Sequence, residues 1–265
     1  MLRAYLSTYL FFLFAPIAMI VLFSFHSTPG LVFPMEGFSL RWYSELFANG
    51  NFVASLWNSV KVGIFTSIVT TILGTLAALA LIRMRGSFRR VFELLNFMPI
   101  GLPGLFLGIA LVTLFAEIGL PRSLVTVTIA HVLFTLPFFV ETMRSRITYF
   151  DASLEEAARD LGASQFQTFR LVTIPILLPT IVGAAILTFA LSFDEFIITV
   201  FVSGNDTTLP LFIWSMLRRT VDPSINAASV LALALSILVL AAGGLSMWMQ
   251  RKRAVAARVA ELEGE

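Results

Sequence analysis

The chain has 265 residues, of which 58% are hydrophobic and only 13% charged, and its net charge is +2. Soluble domains average roughly 45–50% apolar and about 25% charged residues, so an ordinary water-soluble protein is excluded and a membrane protein expected. The length accommodates several spans of about 20 residues with short loops and no sizeable soluble domain. The absence of cysteine rules out disulfides and thiolate metal sites, and two histidines, His26 and His131, are too few for a histidine-rich metal cluster.

Tyr5 to Phe25 follows Arg3 as an uninterrupted apolar run, too long for the core of a cleaved signal peptide and without a small-residue cleavage site behind it. It is predicted as a retained first span over residues 5–25. His26 to Trp57 is mixed, with Pro29, Pro34, Glu36, Arg41 and Glu45. It reads as an external segment with a short amphipathic piece near Leu40 to Phe47. Trp42, Tyr43 and Trp57 suit a water interface. Residues 60–82 form the second span, with Lys61 placed to snorkel at its end. Arg83, Arg85, Arg89 and Arg90 then crowd one short loop.

The third span, 92–115, contains Pro99, Gly101, Pro103, Gly104 and Gly108, and a broken or kinked helix is predicted. Irregular backbone at membrane depth is tolerated where protein or a water-filled cavity covers it, so Pro99 and Pro103 are candidates for bordering a pathway. Close helix packing explains the same glycines without transport. Residues 124–140 form a short fourth span, in which His131 reads as a hydrogen-bonded packing residue rather than a ligand or proton relay.

Residues 141–175 interrupt the apolar pattern, and the stretch Leu154 to Pro175 is the most informative in the chain. Ser153 is placed to cap a helix start, with Glu156 three residues on reaching back to the free N–H, a predicted capping box. Leu154, Ala157, Ala158 and Leu161 recur at i, i+3, i+4 and i+7 and make a narrow apolar stripe on one face. Gly162 supplies the left-handed conformation that closes a helix, and a second helix is expected from about Ser164 toward Pro175. Two turns of helix are marginal alone, so something must receive the stripe: a groove on another protein, or the chain's own bundle.

Residues 176–202 are the predicted fifth span, 204–224 a second external segment, 227–249 the sixth span and 250–265 a charged tail. Asp194 and Glu195 fall inside the fifth span, where inserting an acid near a helix centre costs roughly 2.5–3.5 kcal/mol. They are candidates for binding a cationic solute, with Ser192 as a neutral donor and acceptor beside them. Internal pairing, or local unwinding that brings them to water, is the alternative. With the amino terminus inside, thirteen of the 18 basic residues fall in cytoplasmic segments, so the positive-inside rule places both termini and the 141–175 loop in the cytoplasm. The expected architecture is all-α: one polytopic bundle of six transmembrane helices with a cytoplasmic docking helix.

Glu156-Ala157-Ala158, Gly162 four residues later, then Val172-Thr173-Ile174-Pro175 resembles the EAA loop of bacterial ABC importer permeases, with Val172 and Ile174 as conservative departures. The resemblance implies a coupling helix that docks on an ATP-hydrolysing subunit through Leu154, Glu156, Ala157, Ala158, Leu161 and Gly162. It implies a multi-pass protein of the bacterial inner membrane whose partners are a dimer of ATP-binding subunits, a second permease and a periplasmic or extracellular solute-binding protein, with no nucleic acid. GFSLRWYSELF, SFDEF, TLPLFIWSMLRR and DPSINAAS further resemble the second permease of spermidine/putrescine importers. Against a polyamine, the stretch from Pro99 to Pro103 lacks the acid that related permeases often carry there, which keeps an opine or another amine open.

No catalytic residue is expected. A P-loop needs Gly-Lys-Ser/Thr, but the only lysines, Lys61 and Lys252, precede Val62 and Arg253. ATP and magnesium are therefore expected on partner subunits, with no cofactor or metal in this chain. Two rivals remain: an ion-driven secondary transporter using Asp194, Glu195 and His131, which inverted repeats would favour, and a membrane scaffold that only recruits a soluble partner.

Overall fold

Apolar runs can cross a bilayer only if every backbone polar group is satisfied, by helix or closed barrel, and this chain takes the helical solution. The computed structural model describes residues 1–30, 34–219 and 222–263. Residues 31–33 and 220–221 of the predicted external segments and 264–265 of the tail lie outside the described residues, as do the side chains of Arg251, Arg253 and Arg258.

In chain order the helices are α1 (Leu2–Phe23), α2 (Arg41–Ala48), α3 (Gly50–Arg83), α4 (Gly86–Gly101), α5 (Gly104–Glu117), α6 (Leu124–Ile147), α7 (Ser153–Asp160) and α8 (Gln165–Thr168). A π-helical segment, Phe169–Thr173, leads into α9 (Ile174–Phe193), followed by α10 (Ile197–Val202), α11 (Leu209–Leu217) and α12 (Pro223–Glu263). The described residues hold no β-strand, only an antiparallel bridge between His26 and Phe38. Among the described residues, five helical stretches are long and apolar enough to span a membrane, and the pair α4–α5, bent by 107°, makes a sixth if it is one broken span.

Several boundaries differ from expectation. The second span begins at Gly50, because the Asn49 side chain caps it by accepting from the N–H groups of Asn51 and Phe52 at 3.0 and 3.3 Å. Arg89 and Arg90 lie within α4 rather than in a loop. The fourth span continues through Pro137 to Ile147, and the sixth runs on as helix to Glu263, in keeping with the Ala, Arg and Glu that fill its last turns. The fifth is the most altered. Its helix starts at Gln165, passes Pro175 and Pro179, and stops at Phe193. Pro175 does not end it because the wider turns of the π segment lie just before, where an α-turn would press the ring on the Leu171 carbonyl.

The chain divides into two compact units, one of residues 1–60 and 205–237, the other of residues 61–204 and 238–265. In the first, the Trp42 indole donates to the His26 carbonyl at 2.6 Å, Ser59 accepts from the Leu209 N–H at 2.8 Å, and Phe52 packs on Phe212 at 5.8 Å between ring centroids. No residue of α1 is buried, which leaves it to lipid or a partner.

The second unit carries the candidate site. One core cluster joins α3, α6 and α9 through residues such as Ala78, Phe139, Met143 and Leu177, and another joins α3, α5, α6 and α10 through Val62, Leu111, Val127 and Ile198. Two glycines allow this closeness: a Cβ on Gly74 would sit 2.4 Å from the Phe139 ring, and one on Gly108 would sit 2.6 Å from Phe201. Without a hydrophobic drive between helices in lipid, such close contact is the main source of association.

Candidate functional site

At the foot of the fifth span, α7 and α8 form the predicted knob. The predicted capping box at Ser153 is not what starts it. Ser153 is already helical, and the Asp151 carboxylate accepts from its N–H at 3.0 Å, because an Asx turn two residues earlier takes the donor first. Hydrogen bonds from the Ser153 hydroxyl and N–H hold the Asp151 carboxyl below the usual carboxylate range. A capping box does occur eleven residues on, at the start of α8: Ser164 accepts from the Gln167 N–H at 3.3 Å, and the Gln167 side chain accepts from the Ser164 N–H at 2.8 Å. Between them Gly162 has φ +89°, the left-handed turn expected of it.

The stripe faces solvent. Leu161 is 90% exposed and Leu154 46%, Glu156 and Ala157 are exposed, and Ala158 is half-buried. Ala158, Leu161 and Gly162 line one edge of an open depression of about 370 Å³ shared with Leu171 and Val172. On the other side a cleft of about 670 Å³ is lined by Arg83, Glu155, Arg159 and Phe166. The knob is tied to the span by one contact the sequence does not announce. Thr173 of the π segment donates to the Glu155 carboxylate at 2.5 Å. No periodicity joins residues 18 apart across a turn, whereas the apolar stripe beside them is read directly from helical spacing. A second unforeseen network runs from Arg89 to Glu93 at 3.0 Å, to Arg144 at 3.4 Å and on to Glu141 at 3.4 Å, joining α4 to α6.

Higher in the span, the regular helix expected through Asp194 is interrupted. Asp194 is the C-cap of α9, residues 194–196 are non-helical, and α10 resumes at Ile197. At about 1.5 Å per residue, Asp194 lies roughly 30 Å along α9 from Ile174. The local cause is in the side chains. The Glu195 carboxylate accepts from the Ile198 N–H at 2.9 Å, so it caps the new helix instead of extending the old one. Asp194 is exposed and Glu195 half-buried. Ser192 is buried, with its hydroxyl 2.8 Å from His131 Nδ1. The three predicted solute residues thus come together at one break, Asp194 exposed, Glu195 half-buried as a helix cap and Ser192 engaged inward. Pro99 and Pro103 flank the 107° bend at Leu102, which realises the expected kink.

Electrostatically the break is asymmetric. A helix C-terminus carries about half a negative charge and disfavours an anion, while an N-terminus favours one. Glu195 occupies the favourable end of α10, whereas Asp194 occupies the unfavourable end of α9. A cation would be stabilised there by both the carboxylate and the half-helix, the arrangement by which discontinuous membrane helices hold cations.

A bent-helix bundle with an outward apolar knob and an acidic break inside a span is the build of a membrane transport subunit. Residues 70–254 match the model of the binding-protein-dependent transport system inner membrane component, and the chain belongs to that family of multi-pass inner-membrane permeases. The putrescine transport system permease protein PotI of Escherichia coli is 35% identical over 261 residues, covering 95% of this chain and 91% of that protein. The spermidine/putrescine transport system permease protein PotC of Haemophilus influenzae is 34% identical over 228 residues, covering 85% and 88%. Among solved structures, a bacterial ABC transporter involved in import of the acidic polysaccharide alginate has a similar chain, with a TM-score of 0.73 at 15% identity over 94% of this chain and 95% of that one. The MetNI methionine ABC transporter in an inward-facing conformation gives 0.66 at 17% identity, covering 80% and 98%. At such identities the likeness is one of fold.

Proposed function

We propose that this chain is a permease subunit of an ABC importer for polyamines of the spermidine and putrescine kind, forming the solute path with a second, similar permease. The observation that carries the reading is an exposed carboxylate, Asp194, at the negative end of a half-helix inside a span, with Glu195 beside it and Ser192 anchoring the turn. A polyamine offers ammonium groups to such acids. The relatives named for putrescine and spermidine support the choice of solute.

The energy comes from outside the chain. ATP and magnesium are held by a dimer of separate ATP-binding subunits, on which the stripe of α7 and Glu156 dock, and this chain has no ATPase site, cofactor or metal of its own. The knob and both termini face the cytoplasm, a reading that the basic-residue asymmetry supports. Nucleotide-driven closure displaces α7, the Glu155–Thr173 hydrogen bond passes the displacement to the foot of α9, and the span carrying the acids tilts between inward- and outward-facing states. A loaded periplasmic binding protein delivers the solute.

The test is reconstitution of the full assembly with its binding protein in liposomes. Putrescine or spermidine should stimulate ATP hydrolysis and accumulate, and Asp194→Asn with Glu195→Gln should lower uptake by on the order of tenfold, as expected for removing both charge partners of a cationic solute. ATP-independent, ionophore-sensitive uptake overturns the importer reading. A second reading, an importer for an opine or another amine, is favoured by the acid-free stretch from Pro99 to Pro103; a response to such a solute and none to either polyamine would select it.

A further inference from the structure

Ser192 and Thr199 stand on opposite sides of the break, one in the last turn of α9 and the other in the first turn of α10. A single imidazole holds both. His131 of α6 is 1% exposed, with Nδ1 2.8 Å from Ser192 Oγ and Nε2 2.8 Å from Thr199 Oγ1. Thr199 Oγ1 also donates to the Glu195 carbonyl at 2.9 Å. A hydroxyl has one proton to give. With that of Thr199 committed to the carbonyl, Nε2–H donates to Thr199 and Nδ1 accepts from Ser192, so one neutral tautomer satisfies all the partners. The ring's own backbone is held in turn, since Thr135 donates to the His131 carbonyl at 2.7 Å and Thr70 lies 3.2 Å from Thr135.

An unbroken helix couples its two ends through the i to i−4 ladder, which here ends with the Asp194 N–H on the Ala190 carbonyl at 3.1 Å and resumes with the Val200 N–H on the Phe196 carbonyl at 3.1 Å. Two side-chain hydrogen bonds to one ring bridge the interval. We infer that His131 is the positioning residue of the acidic break: by holding Ser192 and Thr199 at once, it fixes where Asp194 and Glu195 stand on the solute path. Its role rests on the solute-site reading given above. His131 does not touch the solute. Without the ring, α9 and α10 swivel about the break, the carboxylates lose their common position, and the distant knob still engages its motor.

The experiment uses the assembled transporter with its binding protein in liposomes, comparing His131→Leu, His131→Asn and His131→Gln. Binding-protein-stimulated ATP hydrolysis in His131→Leu should stay within about twofold of the parent, while putrescine moved per ATP falls roughly tenfold, the scale of two buried hydrogen bonds. Misfolding alone would lower both in proportion. The amide of Asn can keep the bond to Ser192 and that of Gln the bond to Thr199, so each should recover part of the ratio. The chain has no cysteine, so spin labels on Leu187→Cys and Val200→Cys, at exposed positions on either side of the break, report it directly. Their distance distribution should broaden in His131→Leu and narrow again in the amide variants. An unchanged ratio, a proportional loss of both activities, or a loss of transport without broadening overturns the inference. If Asp194→Asn with Glu195→Gln leaves putrescine per ATP unchanged, the solute-site reading fails by itself, and the label distances still decide whether His131 holds the break.

Discussion

The foot and the upper part of the fifth span solve opposite problems with the same materials. At the foot, apolar side chains stand in water, with Leu161 90% exposed and Phe166 69%. Near its other end, polar groups sit out of it: His131, Ser192 and Thr199 are 1%, 3% and 0% exposed, and they satisfy one another. An apolar stripe on a helix of two turns is marginal without something to cover it, and in the proposed function a partner covers it. Buried polar groups cannot wait for a partner, because each unsatisfied one costs about 1–3 kcal/mol, so the break closes on itself. Of its carboxylates, Asp194 is exposed while Glu195 is half-buried on the Ile198 N–H.

The largest predicted effect breaks the comparison at the foot. Glu156→Lys with Leu161→Asp should reduce uptake to background and abolish binding of the ATP-hydrolysing partner, because a hot spot at a docked face is lost and a charge is put in its place. Both side chains are exposed, so membrane insertion and thermal stability of the isolated chain should not change. Retained uptake would return α7 to a loop packed on its own bundle. The next effect is purely conformational. Gly162→Val meets no atom within 4 Å but must adopt φ +89°, at a strain of about 1–2 kcal/mol. The turn between α7 and α8 should loosen, and transport per ATP should fall several-fold while the break, followed by labels across residues 194–196, stays as it is.

These two regions were unequally legible. The stripe at the foot was readable because it follows from spacing on one short helix, and Gly162 because φ is a property of a single residue. The cap is not legible in the same way: Ser153 and Glu156 fit a capping box, but Asp151 two residues ahead offers the same donor a shorter route. At the break, the residue types were readable and the geometry was not. Nothing in SFDEF says that Glu195 will start a new helix by accepting from Ile198. The clasp left no signal either, because the seven-residue separation of Ser192 and Thr199 fixes a shared face only in an unbroken helix and the break lies between them. The π segment before Pro175 left no sequence mark beyond the proline itself, which reads more naturally as an end.

A smaller effect tests whether the two regions communicate. Thr173→Val is nearly isosteric and removes the hydrogen bond to Glu155 without touching the apolar stripe or the acids. Glu155 is half-buried, so its carboxylate can recover water, and the loss is expected near the low end of about 0.5–1.5 kcal/mol for one such bond. ATP hydrolysis should persist while uptake per ATP falls by about twofold to tenfold. Equal losses in both would mean that Thr173 serves packing in the π segment instead of the link.

The smallest effect concerns the start of α7. Asp151 has its carboxyl pKa lowered by the Ser153 hydroxyl and N–H, so the folded knob binds this proton less readily than the unfolded chain does. Its contribution is therefore complete above the ordinary carboxylate range and is lost as pH falls through the lowered value. Amide protection at Ser153 to Glu155, corrected for the intrinsic exchange rate, should decline over that acidic window in the parent chain. Asn accepts the same hydrogen bond as a helix cap but does not titrate, so Asp151→Asn should keep its protection near neutrality and show no decline on acidification. Since Asp151 is fully exposed to solvent, the effect stays confined to the first turn. A decline that persisted in Asp151→Asn would show that the cap is not the acid-sensitive part of the knob.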